Sequence, residues 1–236
     1  MNTSARWKER FPTLPQEFLD LLTTHTVETV PELCPELRIR QAQSLVEFWE
    51  DTERLAGQEV EPPFWGWVWP GSQALARFLL DVPEWVAGKS VLDLGCGNGF
   101  SALAAARAGA ASVVANDIDP HAMHMVAIGS ELNNVTVQLV ADDLLIEDDG
   151  QKDYDVVLVG DLFYARALAH RVEKWLRRAV EAGVTVLVGD PGRAYFPRQE
   201  MIALGVYDVP VSPEVESVSR LRCEVFQFVG ASSATG

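Results

Sequence analysis

From residue 90 onward, short and largely apolar runs alternate with segments in which apolar residues recur at helical spacing. Such runs are typical of strands that helices cover on both faces, which is the setting of a parallel sheet. The strands predicted in this way are residues 90–94, 112–116, 136–140, 155–159 and 184–189. The helices predicted between them are residues 99–108, 120–132 and 165–182. The pattern therefore predicts repeated units of strand, turn and helix, which indicate an α/β protein.

The end of the chain departs from this repeat. Residues 204–211 and 221–229 are two β-rich runs with no room for a long helix between them, so we expect an antiparallel hairpin on the sheet edge. The plain dinucleotide-binding fold ends instead in a sixth parallel strand. The prediction is a Rossmann-like α/β sheet of seven strands, with five parallel units plus a C-terminal antiparallel hairpin.

The first third of the chain is predicted to be mostly helical. Helices are expected at residues 15–22 and 44–55, and the second has Ser44 as N-cap with Glu47 three residues on. A short strand is expected between the two helices, at residues 37–40.

Residues 57–71 separate this region from the α/β repeat. Six glycines and prolines in the segment exclude a regular element. Its aromatic residues are Phe64, Trp65, Trp67 and Trp69. A further helix is expected at residues 72–80. We therefore expect an N-terminal helical extension with an aromatic loop at residues 1–71, and a ligand-binding domain at residues 72–236.

The charge of the chain narrows its range of partners. The formal net charge is −15, from 34 acidic and 19 basic residues. Such a surface repels a phosphate backbone, and we find no basic patch that would overcome the repulsion, so no nucleic-acid partner is expected. The charge suits a small molecule in a cleft, or a protein that presents a basic side chain such as lysine.

Cysteine and histidine usage excludes two kinds of site. Cys34, Cys96 and Cys223 are widely spaced without any CxxC pair, so neither a disulfide framework nor a zinc site is indicated. His121 and His124 are three residues apart on one predicted helix, but no third ligand lies at a suitable spacing, so no metal is predicted. No apolar run approaches the length of a membrane span. We expect a soluble cytoplasmic protein without a membrane partner.

The strongest local motif follows the first strand of the repeat. Asp93 ends an apolar run that leads into Gly95, Gly97 and Gly99 and then into a helix. Glycines there let a ligand approach bare backbone, and the helix N-terminus offers unpaired N–H groups. The dinucleotide-binding fingerprint requires its third glycine at position 100, where this chain has Phe100. Asp93 is expected to hold a ligand ammonium or the backbone of the glycine loop. The alternative is that the glycines only make a tight turn.

Carboxylates follow the next two strands. Asp117 lies where it can accept both hydroxyls of a ribose, and Ile118 is placed to pack on an adenine ring. Asp119 precedes a proline and is expected to cap the following helix. Asp142 and Asp143 are placed where a side chain can accept the exocyclic amine of adenine. Asp143 is equally well explained as a loop carboxylate in solvent.

These segments resemble the successive cofactor-binding motifs of the class I S-adenosylmethionine-dependent methyltransferases. The motifs that match are residues 93–99, Asp117 and Asp142, and the resemblance runs over residues 64–229. It implies S-adenosylmethionine as cofactor and in-line methyl transfer from its sulfonium, for which an enzyme mainly supplies proximity and orientation.

The end of the fourth strand distinguishes members of this class. Residues 160–164 and 189–193, together with residues 63–66 and 69–75 of the aromatic segment, resemble the electron transfer flavoprotein β-subunit lysine methyltransferases. The resemblance implies a protein lysine as methyl acceptor, on the electron transfer flavoprotein β subunit.

Asp161 and Tyr164 are the candidate catalytic residues. A lysine ammonium must lose a proton before it can attack, and a buried carboxylate such as Asp161 can bind, orient and help deprotonate it. Tyr164 is placed to hydrogen-bond the amine or to line the lysine channel. The alternative role for Asp161 is the N-cap of the helix at residues 165–182.

More than one role is possible for the tryptophans of the aromatic segment and for Arg193. Trp69 is the best candidate among the tryptophans for a contact with the cofactor, whereas Trp65 and Trp67 are expected to pack the N-terminal helices onto the sheet. Arg193 is placed to meet an acidic group of the substrate or a backbone carbonyl, or to brace its loop by an ion pair.

Other functions remain as alternatives. The acceptor could be a ribosomal-protein lysine, another protein lysine or a small molecule. A nonenzymatic module that binds the cofactor is the alternative from a different class, and the complete glycine loop and Asp161 argue against it. A nicotinamide oxidoreductase is disfavoured by Phe100 and by the antiparallel end of the sheet.

Overall fold

The computed structural model describes residues 14–146 and 153–230, and a sheet of seven strands forms its centre. Five strands are parallel: β3 (Ser90–Leu94), β4 (Ser112–Asn116), β5 (Gln138–Val140), β6 (Val156–Gly160) and β7 (Thr185–Asp190). Two are antiparallel: β8 (Met201–Pro210) and β9 (Arg220–Phe228). The spatial order is β5-β4-β3-β6-β7-β9-β8. The predicted fold class is confirmed.

Helices cover both faces of the sheet. They are α3 (Pro70–Asp81), α4 (Phe100–Arg107), α5 (Pro120–Asn133) and α6 (Arg166–Glu181). Alternate residues of each strand serve the two faces. Val91, Leu158 and Leu187 join the core with α3, whereas Val157 and Val186 join the core with α6. Full burial of each such side chain stabilises the fold by about 1.5–3 kcal/mol.

The N-terminal elements pack onto the same core. They are α1 (Gln16–His25), β1 (Thr26–Thr29), β2 (Ile39–Ala42) and α2 (Leu45–Ala56), and β1 pairs with β2 in an antiparallel hairpin. Ser44 caps α2 by accepting from the backbone N–H of Glu47, as predicted. Phe18 and Phe48 carry the hydrophobic contact to the sheet core. The predicted division into residues 1–71 and 72–236 has its outer ends outside the described residues and stays a prediction.

Several elements differ from the expectation. Helix α3 begins at Pro70 rather than at residue 72, because proline fits the first helical turn. Strand β1 was not predicted, and a short 3₁₀ turn at Phe64–Gly66 interrupts the aromatic segment. A short helix, α7 (Pro213–Glu216), lies in the connection between β8 and β9. None of the helices in the described ranges combines the length and apolar character needed to cross a membrane.

Candidate active site

A cavity of about 530 Å³ opens at the carboxyl ends of the parallel strands. It lies where the chain order reverses, with β4 on one side of β3 and β6 on the other. Ligands of open α/β sheets bind at this point. The predicted site residues that line it are Trp69, Gly95, Gly97, Asp117, Ile118, Asp161 and Tyr164. The cavity volume falls within the range of about 300–1,000 Å³ that is usual for small-molecule sites.

The glycine loop faces the cavity with its backbone. Gly97 has φ +55°, and a Cβ there would lie 3.7 Å from Trp65 Cα, so it is the open position of the loop. Gly99 has φ +79°, and a Cβ there would lie 2.8 Å from the Val126 side chain on α5. Among the described residues the cavity lining includes Gly95 and Gly97 but not Gly99. Gly99 therefore serves the packing of α4 against α5.

Asp93 faces the helix after the glycine loop. Its Oδ2 accepts the backbone N–H of Ala102 at 2.9 Å, in the first turn of α4. The side chain is 2% exposed, and this burial raises the pKa of Asp93 to about 7, with a further contribution from the Asp117 charge. Of the two roles expected for Asp93, the geometry supports the binding of backbone near the glycine loop.

Asp117 is fixed at the cavity wall by backbone donors. Its Oδ2 accepts from the N–H of Gly97 at 2.9 Å, and its Oδ1 accepts from the N–H of Asp119 at 3.0 Å. Burial raises the pKa of the Asp117 carboxyl. Ile118 is 73% exposed at the cavity rim, which leaves an apolar surface open to a ligand ring. Asp119 caps α5 through the N–H of His121, as predicted.

The two aspartates after β5 make different contacts. The backbone oxygen of Asp142 accepts from Asn116 Nδ2 at 2.8 Å. Asp143 lines the cavity while its carboxylate pairs with Arg171 at 2.6 Å. In the part of the chain that the structure describes, Asp143 rather than Asp142 belongs to the lining. The adenine contact of the Asp142 side chain stays a prediction.

Asn98 is a lining residue that no sequence motif indicates as a ligand-binding residue. The residue is 2% exposed, and its Nδ2 has no hydrogen-bond partner among the described residues. A buried donor left unpaired costs about 1–3 kcal/mol. Such an atom in a cavity wall is typical of a site that a bound ligand completes. The available signal was its place between Gly97 and Gly99.

Asp161 lies at the end of β6 in a left-handed backbone conformation, with φ +56°. Its Oδ1 accepts from Arg193 Nε at 3.0 Å and Nη2 at 2.7 Å, and its Oδ2 accepts from the N–H of Gly71 at 2.5 Å. The N-cap alternative is wrong, because α6 begins after Ala165 and has no side-chain cap. Burial raises the pKa of Asp161 to about 7; the Arg193 guanidinium lowers it and the Asp190 charge raises it.

Two glycines bring the N-terminus of α3 to Asp161. A Cβ at Gly71 would overlap both the carbonyl oxygen of Gly189 on β7 and the carboxylate of Asp161. A Cβ at Gly189 would likewise overlap the carbonyl oxygen of Gly71. Helix and strand therefore meet backbone to backbone, and the positive end of the helix dipole points at the carboxylate.

Aromatic rings form one wall of the cavity beside Asp161. The Phe64 ring centroid lies 5.7 Å from that of Trp69 and 5.6 Å from that of Tyr164. Trp69 is held in place because its Nε1 donates to the Phe64 carbonyl at 2.7 Å. Trp65 is buried against Phe18, which agrees with its predicted packing role, although Trp65 and Trp67 also reach the cavity lining.

The charged residues of the lining are predominantly acidic. They are Glu61, Asp117, Asp119, Asp143, Asp161 and Arg193. Arg193 is thus the single lysine or arginine among the described lining residues, and Asp161 and Glu216 both pair with it. The loop-bracing role expected for Arg193 is the one that the geometry supports. A site with this charge favours cationic ligands.

The chain is similar to known methyltransferases. The ribosomal protein L11 methyltransferase (PrmA) family model matches residues 78–189. The Danio rerio electron transfer flavoprotein beta subunit lysine methyltransferase is 41% identical over 203 residues, 83% of this chain and 77% of that protein. The Homo sapiens protein of the same name is 40% identical over 194 residues, 80% of this chain and 72% of that protein.

A solved structure shows the same fold. The T. thermophilus 16S rRNA N2 G1207 methyltransferase, in complex with AdoMet and guanosine, superimposes with a TM-score of 0.55 at 19% identity. The match covers 86% of this chain and 50% of that one. Taken with the two relatives, the chain belongs to the electron transfer flavoprotein beta subunit lysine methyltransferase family, within the class I S-adenosylmethionine-dependent methyltransferases.

Proposed function

We propose that this protein is an S-adenosylmethionine-dependent protein-lysine N-methyltransferase that acts on the electron transfer flavoprotein β subunit. The observation that carries the proposal is the buried Asp161 carboxylate, which lies in the cavity wall near the aromatic rings. The relatives named for this substrate, at 40% and 41% identity, support the choice of acceptor.

The cavity fits the cofactor. Asp117 would hold the ribose hydroxyls, Ile118 would pack on the adenine, and the backbone at Gly97 would take the closest approach of the ligand. The unpaired Nδ2 of Asn98 would donate to a cofactor oxygen or nitrogen. When bound, S-adenosylmethionine supplies an electrophilic methyl group on a sulfonium, and its sulfur takes the electron pair of the broken carbon–sulfur bond.

The remaining chemistry belongs to the side chains near Asp161. An incoming ammonium pairs with the Asp161 carboxylate, which also orients the nitrogen. The nitrogen must then release a proton to free its lone pair, and the carboxylate or solvent accepts it. Phe64, Trp69 and Tyr164 exclude water from the lysine stem and present ring faces to the cation. Arg193 and the N–H of Gly71 hold the carboxylate in this position.

Ribosomal-protein lysines form the second candidate acceptor class, because the PrmA family model matches residues 78–189. The net charge of −15 supports a basic protein segment rather than a nucleic acid as partner. The proposal includes a cytoplasmic location. Cys34, Cys96 and Cys223 are free thiols, which are typical of reducing compartments.

Replacement of Asp161 by asparagine tests the proposal. We expect Asp161→Asn to lower methyl transfer by about a hundredfold or more, since one positioned acid–base group is lost. Affinity for S-adenosylmethionine should stay within a few-fold. The amide NH₂ must face either Gly71 N–H or Arg193, so a stability loss of about 1–3 kcal/mol is also expected.

The assay is labelled methyl transfer to the purified β subunit, followed by mass spectrometry of the modified residue and calorimetry of cofactor binding. Asp20→Asn, an exposed change on α1, is the matched control and should keep full activity. Full activity of Asp161→Asn would contradict the role of Asp161. Wild-type protein that labels ribosomal-protein lysines but none in the β subunit would favour the second acceptor class.

A further inference from the structure

One guanidinium connects the site to the hairpin at the sheet edge. Arg193 Nη2 donates to Glu216 Oε1 at 2.7 Å, and Nη1 donates to Oε2 at 3.3 Å. Arg193 Nε and Nη2 also donate to Asp161 Oδ1. Glu216 ends α7, in the connection between β8 and β9, and is not part of the described cavity lining. Arg193 therefore bridges a carboxylate at the cavity wall and one behind it.

Burial, backbone hydrogen bonds and an aromatic contact stabilise this bridge. The side chains of Asp161, Glu216 and Arg193 are 8%, 13% and 20% exposed, so water screens their charges weakly. Asp190 Oδ1 accepts the backbone N–H groups of Gly192 and Arg193, both at 2.6 Å, and so shapes the loop that carries the guanidinium. The Trp69 ring lies beside it, 5.8 Å from Cζ to the centroid.

The charges of the three side chains do not cancel. With both carboxylates ionised, Asp161, Glu216 and Arg193 carry a net charge of −1, whereas Arg193 with an ionised Asp161 alone would be neutral. The other titratable groups near Asp161 are Asp190 and Cys223 of β9. Burial raises the pKa of Asp190 and of Cys223, which keeps the thiol neutral. Glu216 therefore supplies the charge that makes this end of the cavity attractive to a cation.

We propose that Glu216 is a positioning residue for methyl transfer, which acts through Arg193 to orient the Asp161 carboxylate and to keep its surroundings negative. The inference rests on the proposed function, since it requires a lysine ammonium as the ligand of Asp161. Glu216 contacts Arg193 and is not part of the described cavity lining.

The test compares two substitutions on one short helix. Glu216→Gln removes the charge that pairs with Arg193, and Glu214→Gln removes an equal charge whose carboxylate instead accepts from the Ser44 hydroxyl at 2.6 Å. With the β subunit as acceptor, Glu216→Gln should lower kcat/KM about tenfold, mainly through a higher KM for the protein, because a charge-assisted contact is lost. Glu214→Gln should stay within twofold of wild type.

The pH profile separates this role from simple structural support. Without the Glu216 charge, the Asp161 carboxyl of the free enzyme, whose pKa the profile of kcat/KM reports, should lose its proton more readily. The rising limb of kcat/KM against pH should therefore move to lower pH, by about half a pH unit. In an Asp161→Asn background, Glu216→Gln should cause little additional loss, because its effect passes through Asp161.

Glu216→Asp, which keeps the charge, is the second variant if Glu216→Gln folds poorly, and it should restore the wild-type pH midpoint. Equal effects of the two glutamine variants, or an unchanged kcat/KM and midpoint for Glu216→Gln, would overturn the proposal. Wild-type protein in the same assay distinguishes failure of the Glu216 role from failure of the proposed function. An active wild type with an unaffected Glu216→Gln overturns only the role of Glu216, whereas an inactive wild type overturns the proposed function together with it.

Discussion

Replacement of the buried carboxyl of Asp93 should change how stability depends on pH. Asp93 is 2% exposed, and its pKa of about 7 in the folded protein compares with an ordinary value of 3.8. Between these two values the folded protein keeps a proton that the unfolded chain has released. The free energy of unfolding must therefore fall as pH rises from about 4 to 7, and level off above that.

The size of the effect follows from the two pKa values. Their difference of about 3, at about 1.4 kcal/mol for each pKa unit, gives an upper value of about 4 kcal/mol. Asp93→Asn removes this term and keeps an oxygen that can accept the Ala102 N–H. Relative to wild type, the variant should gain up to about 4 kcal/mol of stability between pH 4 and pH 8.

Urea unfolding of both proteins at a series of pH values measures this difference. Asp117, Asp161 and Asp190 also have raised pKa values, but they are present in both proteins and largely cancel. Asp20→Asn is the control for the loss of a carboxylate at an exposed position. Parallel curves for Asp93→Asn and wild type would refute the assignment of a raised pKa to Asp93.

Two substitutions test the cofactor end of the cavity. Asp117→Ala should weaken S-adenosylmethionine binding by at least tenfold in calorimetry, because the ribose hydroxyls lose their acceptor; unchanged affinity would place the ribose elsewhere. Gly97→Val should abolish binding and lower stability by about 1–3 kcal/mol, because a branched residue is strained at φ +55°. Normal binding with a normal circular dichroism spectrum would show that the glycine loop does not cradle the cofactor.

The sheet is predictable from sequence because its central strands carry their own signal. Strands β3 and β4 are buried on both faces, and their bounds agree with the predicted residues 90–94 and 112–116. Strand β1 has no such signal, since Thr26–Thr29 contains one apolar residue and becomes a strand by pairing with β2. The local sequence pattern identifies strands whose apolar residues are buried, and it misses strands that form because a neighbouring strand pairs with them.

The candidate site divides in the same way. The glycine loop and Asp117 follow their strands directly, so the spacing along the chain places them at the cavity. Arg193 is 32 residues from Asp161, and the two meet because β6 and β7 are neighbours whose carboxyl ends share an edge. Glu216 reaches the pair through the β8–β9 connection, whose position depends on tertiary packing rather than on any local motif.

The backbone contact between α3 and β7 has a consequence for the entropy of substrate binding. The spacing between Trp69 and Asp161 is set through Gly71 and Gly189, whose backbones touch without intervening side chains. No rotamer has to be selected at this contact, whereas ordering a flexible side chain costs about 0.5–1.5 kcal/mol. The aromatic wall and the carboxylate are thus already at their final spacing before a lysine binds. The binding energy of the lysine can then be used to orient its nitrogen.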